Sequence, residues 1–501
     1  MEMENKIKKY KDYKKLMEKY NYALFIMSFD QATDCPKNDK LFSIEVQEFF
    51  QKKVMDIITS KEYQDLIIEL YQNKDQFDDE VLKLDLEIEY KDLEKINRIP
   101  KEELFAHFEN MNRSGYEWEV ARETLDYSKF LIELEELVSY YKKYIKWQET
   151  AQLKGFNVLI DEMEEGFTEE MYDEFFDVIE KELVPFINVI LTKKSKYNPK
   201  LDTLTFDIDK QKKLTKKLAM MMEYDDSVGC IRETVHPFTN WANCNDVRIT
   251  TNYNEKLLIS NLYSVMHEIG HALFQLQMDP KYNGTSIFGH VTCATHESQS
   301  RFYENYLGRS KAFVNYLYPV LKEIFPEEFE GITCDDIYYY VNDVKAQMKR
   351  IEADELTYPI HILIRYKVEK KLFHDEITVS QIDETFNYYM HKYLGLTPKN
   401  MKEGCFQDVH WSSSFAYFPT YALGSAFGAQ FIKAMKKDID VDKALSEGDF
   451  KSINAWLKEH IHKYSGTKRN IEFIRDICHE EFKPIEYVSY LKDKFSEIYL
   501  K

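Results

Sequence analysis

Residues 257–278 read LLISNLYSVMHEIGHALFQLQM, and apolar residues recur through this stretch at the spacing of a helix buried in a core. On such a helix, residues four positions apart lie one turn apart on the same face. His267 and His271 can therefore direct both imidazoles at one tetrahedral metal ion. Glu268 lies about 100° round the helix, where a carboxylate can take a proton from water beside the metal. The stretch predicts a catalytic metal site.

A surface helix with two unrelated histidines is the alternative interpretation of this stretch. The flanking apolar residues argue against it, because they predict a buried helix, and buried histidines need polar partners. Those residues are Leu262, Val265, Met266, Ile269, Leu273 and Leu276.

A catalytic zinc site has a third protein ligand and an open position for water. The run THESQSR at residues 295–301 supplies two candidates for that ligand. We predict that Glu297 is the third ligand, at the start of a helix antiparallel to the first. His296 is its rival, but neighbouring residues on a helix point about 100° apart, so both are not expected to bind.

Most of the remaining chain has helical periodicity as well. Its 501 residues include only 15 Gly and 12 Pro, which favours long helices over a β-sandwich array. Residues 228–256 differ, because Pro, Asn and Thr accompany short alternating runs there. We therefore predict a mainly α fold with a small antiparallel β element beside the HExxH helix.

The domain organisation follows from the absence of a Pro-, Gly- or Ser-rich linker and of a repeat in the sequence. We predict a single domain over residues 1–501. It comprises a helical N-terminal part to about residue 225, a catalytic core over about 226–430 and C-terminal helices over about 431–501.

Charge and cysteine usage restrict the possible partners and the compartment. Lys and Arg number 67 against 87 Asp and Glu, a formal net charge of −20, which disfavours binding to nucleic acid. The seven cysteines are scattered without a CxxC pair, which disfavours a thiolate zinc site and a disulfide framework. No segment approaches the ~20 apolar residues that span a membrane. We predict a cytoplasmic protein.

Further motifs accompany HEIGH and HESQSR, in order along the chain. They are FDQAT at 29–33, HPF at 236–238, DVRIT at 246–250, RIEAD at 350–354 and GCFQDVHW at 404–411. Together they resemble the thermostable (Taq-type) carboxypeptidase family of metallopeptidases. Two positions depart from the family pattern, Phe29 in place of a tryptophan and Lys349 in place of Ile or Val.

The resemblance implies a helical fold with a deep substrate groove, one divalent metal ion and a homodimer. Zn²⁺ is the expected metal, with Co²⁺ as the alternative. The implied substrates are peptides with a free C-terminus, from which single terminal residues are released. A helical zinc oligopeptidase or endopeptidase remains an alternative, and so does a non-catalytic helical scaffold.

The expected reaction is metal-assisted amide hydrolysis, with Glu268 as the base. A developing oxyanion needs a hydrogen-bond donor besides the metal, and His410 and Tyr421 are equal candidates. We also predict that His236 and Gln407, which lie in two of these motifs, contribute to substrate binding, with a packing role in a turn as the alternative for His236.

A carboxypeptidase needs a fixed cation for the terminal carboxylate of its substrate. Arginine suits this task, because its planar fork can bind a carboxylate through two hydrogen bonds. Arg350 is the first choice through the resemblance, and Arg248 is the second. Either could instead form an internal salt bridge, for example with Asp354 or Asp246.

Overall fold

The computed structural model describes residues 2–501, and most of them are helical, as predicted. The N-terminal helices are α1 (Glu2–Ala32), α2 (Lys40–Ile58), α3 (Lys61–Gln72), α4 (Glu80–Asn97), α5 (Lys101–Thr124), α6 (Ser128–Gln148), α7 (Asn157–Met163), α8 (Glu169–Val178), α9 (Val184–Ile190) and α10 (Ile208–Met221).

The central elements begin with three strands, β1 (Ile231–Glu233), β2 (Thr239–Asn243) and β3 (Asp246–Thr251). The helices that follow are α11 (Leu258–Leu276), α12 (Cys293–Arg301), α13 (Lys311–Ile324), α14 (Cys334–Val341), α15 (Tyr358–Phe373), α16 (Ile382–Leu394) and α17 (Pro419–Asp438). The chain ends in α18 (Val441–Glu447), α19 (Phe450–His460), α20 (Asn470–Cys478) and α21 (Pro484–Tyr499).

The three strands form one sheet in the order β1–β3–β2. β2 and β3 are an antiparallel hairpin, with Thr239 opposite Ile249. β1 runs parallel to β3, with Ile231 also opposite Ile249. The predicted antiparallel element is thus a mixed sheet. The reason is that β3 of the hairpin lies between β1 and β2 and runs in the same direction as β1.

One hydrophobic core extends from Ile88 to Tyr499, across all three predicted parts of the chain. A second, smaller cluster joins α1, α3 and α4 through residues such as Tyr10, Tyr63 and Leu86. The proposed boundaries near residues 225 and 430 stay a prediction. Within residues 2–501, the structure contains no helix that is both long and apolar enough to cross a lipid bilayer.

Helix α11 lies against β2 and β3 and also packs on α12, which in turn packs on α17. Two glycines permit these close helix contacts. A methyl group at Gly270 would lie 2.8 Å from the Cα of Ser300, and one at Gly424 would lie 3.0 Å from the carbonyl oxygen of Ala294. The close packing places one face of α11 directly beside α12.

Candidate metal centre

His267, His271 and Glu297 converge at the contact between α11 and α12. One possible ligand atom from each lies within 4.8 Å of the other two. The carboxylate Oε2 of Glu297 is 3.8 Å from Nε2 of His267 and 3.6 Å from Nε2 of His271. Two imidazole nitrogens and one carboxylate oxygen are donors that zinc accepts in catalytic sites, so the residues present fit a divalent metal ion.

The far sides of these side chains are held by charged partners. His267 Nδ1 lies 3.0 Å from Oε2 of Glu304, and Arg301 donates from Nε to Oε1 of Glu297 at 2.7 Å. Burial opposes ionisation of both glutamates, but the Arg301 charge and the nearby histidines outweigh it and hold each pKa well below its ordinary value. Glu297 is therefore held in the ionised form that a metal ligand requires.

Glu304 was not predicted from the sequence. It lies in the π-helical turn Phe302–Gly308 that follows α12, so its register against α11 depends on that turn. A carboxylate behind a metal-binding histidine fixes the tautomer and the orientation of the ring. No spacing rule identifies such a residue, although its position three residues after Arg301 is a weak signal.

His296 does not point between His267, His271 and Glu297. It contacts Nδ1 of His271, the ring nitrogen that faces away from Glu297. Its Nδ1 is 2.5 Å from Nδ1 of His271, and its ring stacks on Trp241 of β2. Its Nε2 lies 2.8 Å from the amide nitrogen of Gln275. The geometry thus groups Glu297, rather than its rival, with the two histidines of α11.

Glu268 is buried beside the centre and is not one of the three grouped donors. Its Oε2 accepts a hydrogen bond from the hydroxyl of Thr239 at 2.6 Å. Thr239 belongs to β2, so the small sheet orients the carboxylate that the sequence assigns to proton transfer. Sequence reasoning missed Thr239, because the contact joins two elements that lie 29 residues apart.

His410 and Tyr421 contact each other, with 3.4 Å between His410 Nε2 and the Tyr421 hydroxyl. Burial lowers the pKa of His410 to about 4, and burial together with nearby Tyr417 and Glu297 raises that of Tyr421. Near neutral pH the imidazole is therefore uncharged and the phenol keeps its proton. The Nδ1 atom of His410 is buried without a hydrogen-bond partner in the described part of the chain.

Arg350 is bound to the GCFQDVHW segment. Its Nη2 lies 2.7 Å from Oδ1 of Asp408, and its backbone N–H donates to Oε1 of Gln407 at 2.7 Å. The salt bridge anticipated as an alternative thus exists, but with Asp408 and not with Asp354. The Gln407 amide group also donates to the carbonyl oxygen of Gly404 at 3.0 Å, so its side chain is engaged within the protein.

Arg248 forms the salt bridge with Asp246 that the sequence suggested, with two contacts of 2.9 Å. Its guanidinium lies over the rings of Phe25 and Phe29 in α1, at 5.0 and 5.5 Å from their centroids. His236 is exposed in the turn between β1 and β2. Arg248 therefore contacts the N-terminal helix, whereas Arg350 contacts the 404–411 segment.

A helical fold in which two histidines and a glutamate converge beside a buried second glutamate is that of a metallopeptidase of the HExxH class. A family model described as "Carboxypeptidase Taq (M32) metallopeptidase" matches residues 9–495. The chain belongs to this family, which confirms both the resemblance and the predicted metallocarboxypeptidase activity.

Individual relatives agree with this assignment. Carboxypeptidase 1 of Bacillus subtilis (strain 168) is 34% identical over 502 residues, which cover 100% of both chains. Thermostable carboxypeptidase 1 of Pyrococcus furiosus is 35% identical over 388 residues, 75% of this chain and 76% of the relative. The structure of the M32 carboxypeptidase from Deinococcus radiodurans R1 matches with a TM-score of 0.94 at 25% identity, covering 99% of this chain and 100% of that one.

Proposed function

We propose that this metallocarboxypeptidase releases single C-terminal residues from peptides and that His267, His271 and Glu297 hold its metal ion. One observation carries the proposal: Tyr358 contacts both Arg301, the partner of Glu297, and Arg350. Its ring lies 4.2 Å from the guanidinium of Arg301, which holds Glu297, and its hydroxyl accepts from Nη1 of Arg350 at 3.2 Å. A fixed cation that is linked to the donor cluster through Tyr358 and Arg301 suits a substrate whose scissile amide is followed by a single residue.

The proposed roles of the other side chains follow from their protonation and contacts. A bound divalent metal would act as a Lewis acid, polarising the scissile carbonyl and acidifying water. Glu268, oriented by Thr239, accepts the proton of the attacking water and transfers it to the leaving amine. Tyr421 remains protonated and can donate to the developing oxyanion, and a neutral His410 can donate from one ring nitrogen.

Arg350 is proposed to bind the terminal carboxylate of the substrate. Asp408 occupies Nε and Nη2 of its fork, which fixes the direction of the guanidinium. Tyr358 engages only one of the two Nη1 protons, so further N–H groups remain for a carboxylate. Arg248 is the second candidate for binding this carboxylate.

The proposal is tested with two peptides that differ only in a free or an amidated C-terminus, assayed by mass spectrometry. The wild type should cleave the free acid with the higher kcat/KM. Arg350→Ala should raise KM for the free acid by about 10–150-fold, because a charge-assisted hydrogen bond contributes about 1.5–3 kcal/mol. Arg248→Ala is the matched control. A wild type without this preference, or an internal cleavage pattern, would favour the endopeptidase alternative.

Zinc, a homodimer and a cytoplasmic location complete the proposal. The donor set of two histidines and one glutamate supports zinc, with cobalt as the alternative. All seven cysteines are free, which supports a reducing compartment. The family resemblance supports the dimer, and so do Phe42 and Phe49 on α2, which are 61% and 56% exposed. Metal analysis of purified protein and light scattering test the first two statements.

A further inference from the structure

Helix α15 carries a buried ion pair that lies outside the sequence motifs of the family. Arg365 and Glu369 lie one turn apart, 2% and 1% exposed, and their Nε and Oε1 atoms are in contact. Removing two charges from water is costly, and apolar residues in place of such a pair are often neutral or stabilising. Core stability alone therefore does not account for this pair.

The second oxygen of Glu369 holds the backbone of a neighbouring turn. Oε2 accepts the N–H of Ala416 at 2.7 Å. Ala416 has φ of +58°, the left-handed region, which is unfavourable for a residue with a Cβ atom. The turn therefore depends on contacts such as this one. Because Arg365 and Ala416 both donate, Glu369 needs an acceptor oxygen for each.

Arg365 contacts two aromatic rings on either side of this turn. Its guanidinium lies 3.2 Å from the ring centroid of Trp411 and 4.6 Å from that of Phe418. The indole N–H of Trp411 donates to the carbonyl oxygen of Cys405 at 2.6 Å. Trp411 directly follows His410, so the stacked guanidinium restricts the backbone that carries this histidine.

The segment held in this way is residues 404–418, and it contains Asp408, the salt-bridge partner of Arg350. A shift of the segment would move Asp408 and rotate the guanidinium of Arg350. The contacts of Arg365 and Glu369 thus extend, through one loop, to the cation proposed for the substrate carboxylate.

We propose that Arg365 and Glu369 are positioning residues for C-terminal carboxylate recognition, acting through the 404–418 segment on Arg350. The inference rests on the proposed role of Arg350. It goes beyond that role because neither residue of the pair belongs to a motif or contacts Arg350 directly.

The experiment measures the ratio of kcat/KM for a free-acid peptide to kcat/KM for its amide. This ratio does not depend on the fraction of active enzyme, so a purely structural defect leaves it unchanged. Glu369→Gln offers only one acceptor oxygen for two donors, and it should lower the ratio by about 10-fold with the metal content unchanged. In the double variant Arg365→Gln with Glu369→Gln, the amide at position 369 can donate to the oxygen at position 365 while its own oxygen accepts from Ala416. Both hydrogen bonds are then possible again, and part of the ratio should be recovered.

Asp85→Asn is the matched control. Asp85 is also a buried carboxylate that accepts a backbone N–H, that of Ser286 at 2.7 Å, and it lies 3.5 Å from Lys14. Asp85 is far in sequence from the 404–418 segment. Its substitution should therefore reduce Tm without changing the ratio of the two kcat/KM values. If Glu369→Gln does not fold, Arg365→Lys gives the answer, because an ammonium retains the charge but not the planar stack on Trp411.

A lower ratio in Glu369→Gln or Arg365→Lys, with the control unchanged, supports the positioning role. Equal losses on both peptides would show that the pair is only structural and would overturn the inference. A failure of the proposed function would give a different result. Either the wild type would show no preference for the free-acid peptide, or the Arg350→Ala variant would keep that preference.

Discussion

Glu297 is central to the proposed metal centre because its two oxygens face different groups. Oε2 lies toward His267 and His271, and Oε1 accepts from Arg301. The guanidinium holds the carboxylate in one orientation and keeps it ionised. His296 has no comparable position, since its ring faces the outer nitrogen of His271.

Glu297→Ala should weaken metal binding and reduce activity, and added zinc should restore part of the loss. Its removal leaves two imidazoles as protein ligands, and metal affinity depends on the number of deprotonated ligands. Competition with a chelator measures the affinity. His296→Ala should have the smaller effect, and the reverse ranking would make His296 the third ligand.

Glu268→Gln should abolish most turnover while the metal content stays near that of the wild type. Glutamine retains the shape and can still accept from Thr239, but it cannot take a proton from water. Loss of a general base typically costs ~10²–10⁴-fold in rate. Parallel measurements of kcat and bound zinc decide the assignment, since loss of zinc from this variant would make Glu268 a ligand.

At the scale of elements, the centre depends on how closely α11, α12 and α17 approach one another. Gly270 permits the contact of α11 with α12, and Gly424 permits that of α17 with α12. Because Glu297 begins the second turn of α12, a displacement of this helix also displaces a donor. Helix packing and metal geometry are therefore coupled.

Gly424→Ala should destabilise the fold and lower metal affinity. The added methyl group would lie 3.0 Å from the Cβ of Glu297 and 3.0 Å from two backbone atoms of α12, so the helices must move apart. Overpacking of this kind typically costs about 1–3 kcal/mol. Denaturant unfolding and zinc titration measure the two effects.

Gly115→Ala is the control for this prediction. Gly115 is in α5, and nothing lies within 4 Å of the position of an added Cβ atom. Alanine is favoured over glycine in helices by about 1 kcal/mol, so this variant should be at least as stable as the wild type. A Gly424→Ala protein with unchanged stability and zinc affinity would show that α12 and α17 have room to adjust.

For the whole molecule, the metal site is a small part of the structure. The main hydrophobic core extends from Ile88 to Tyr499, so most of the buried apolar surface does not depend on metal binding. Small zinc domains, in contrast, have too little core to fold without the ion. The protein should therefore be a folded chain with an added metal centre.

Removal of the metal with a chelator should abolish activity and leave the helical circular-dichroism spectrum nearly unchanged. Tm should fall, because a ligand that binds only the folded state stabilises it by mass action. Re-addition of zinc should restore both activity and Tm. A loss of helical signal in the metal-free protein would instead mean that the centre is needed for folding.

The sequence by itself determined the local chemistry of this protein. The helical period placed His267 and His271 on one face of a buried helix and Glu268 beside them, and few chain-breaking residues indicated a helical fold. The ordered motifs identified the family. The placement of side chains on a helix face depends on backbone geometry over a few turns, so residue spacing is sufficient to predict it.

Tertiary structure alone decided which partners meet across long separations. It paired Arg350 with Asp408, placed Glu304 behind His267, set Thr239 against Glu268 and inserted β3 between β1 and β2. Each contact depends on the relative positions of separate elements, which close packing of the whole core sets. Spacing along the chain carries no information about such distances, and for that reason these contacts became visible only in the folded molecule.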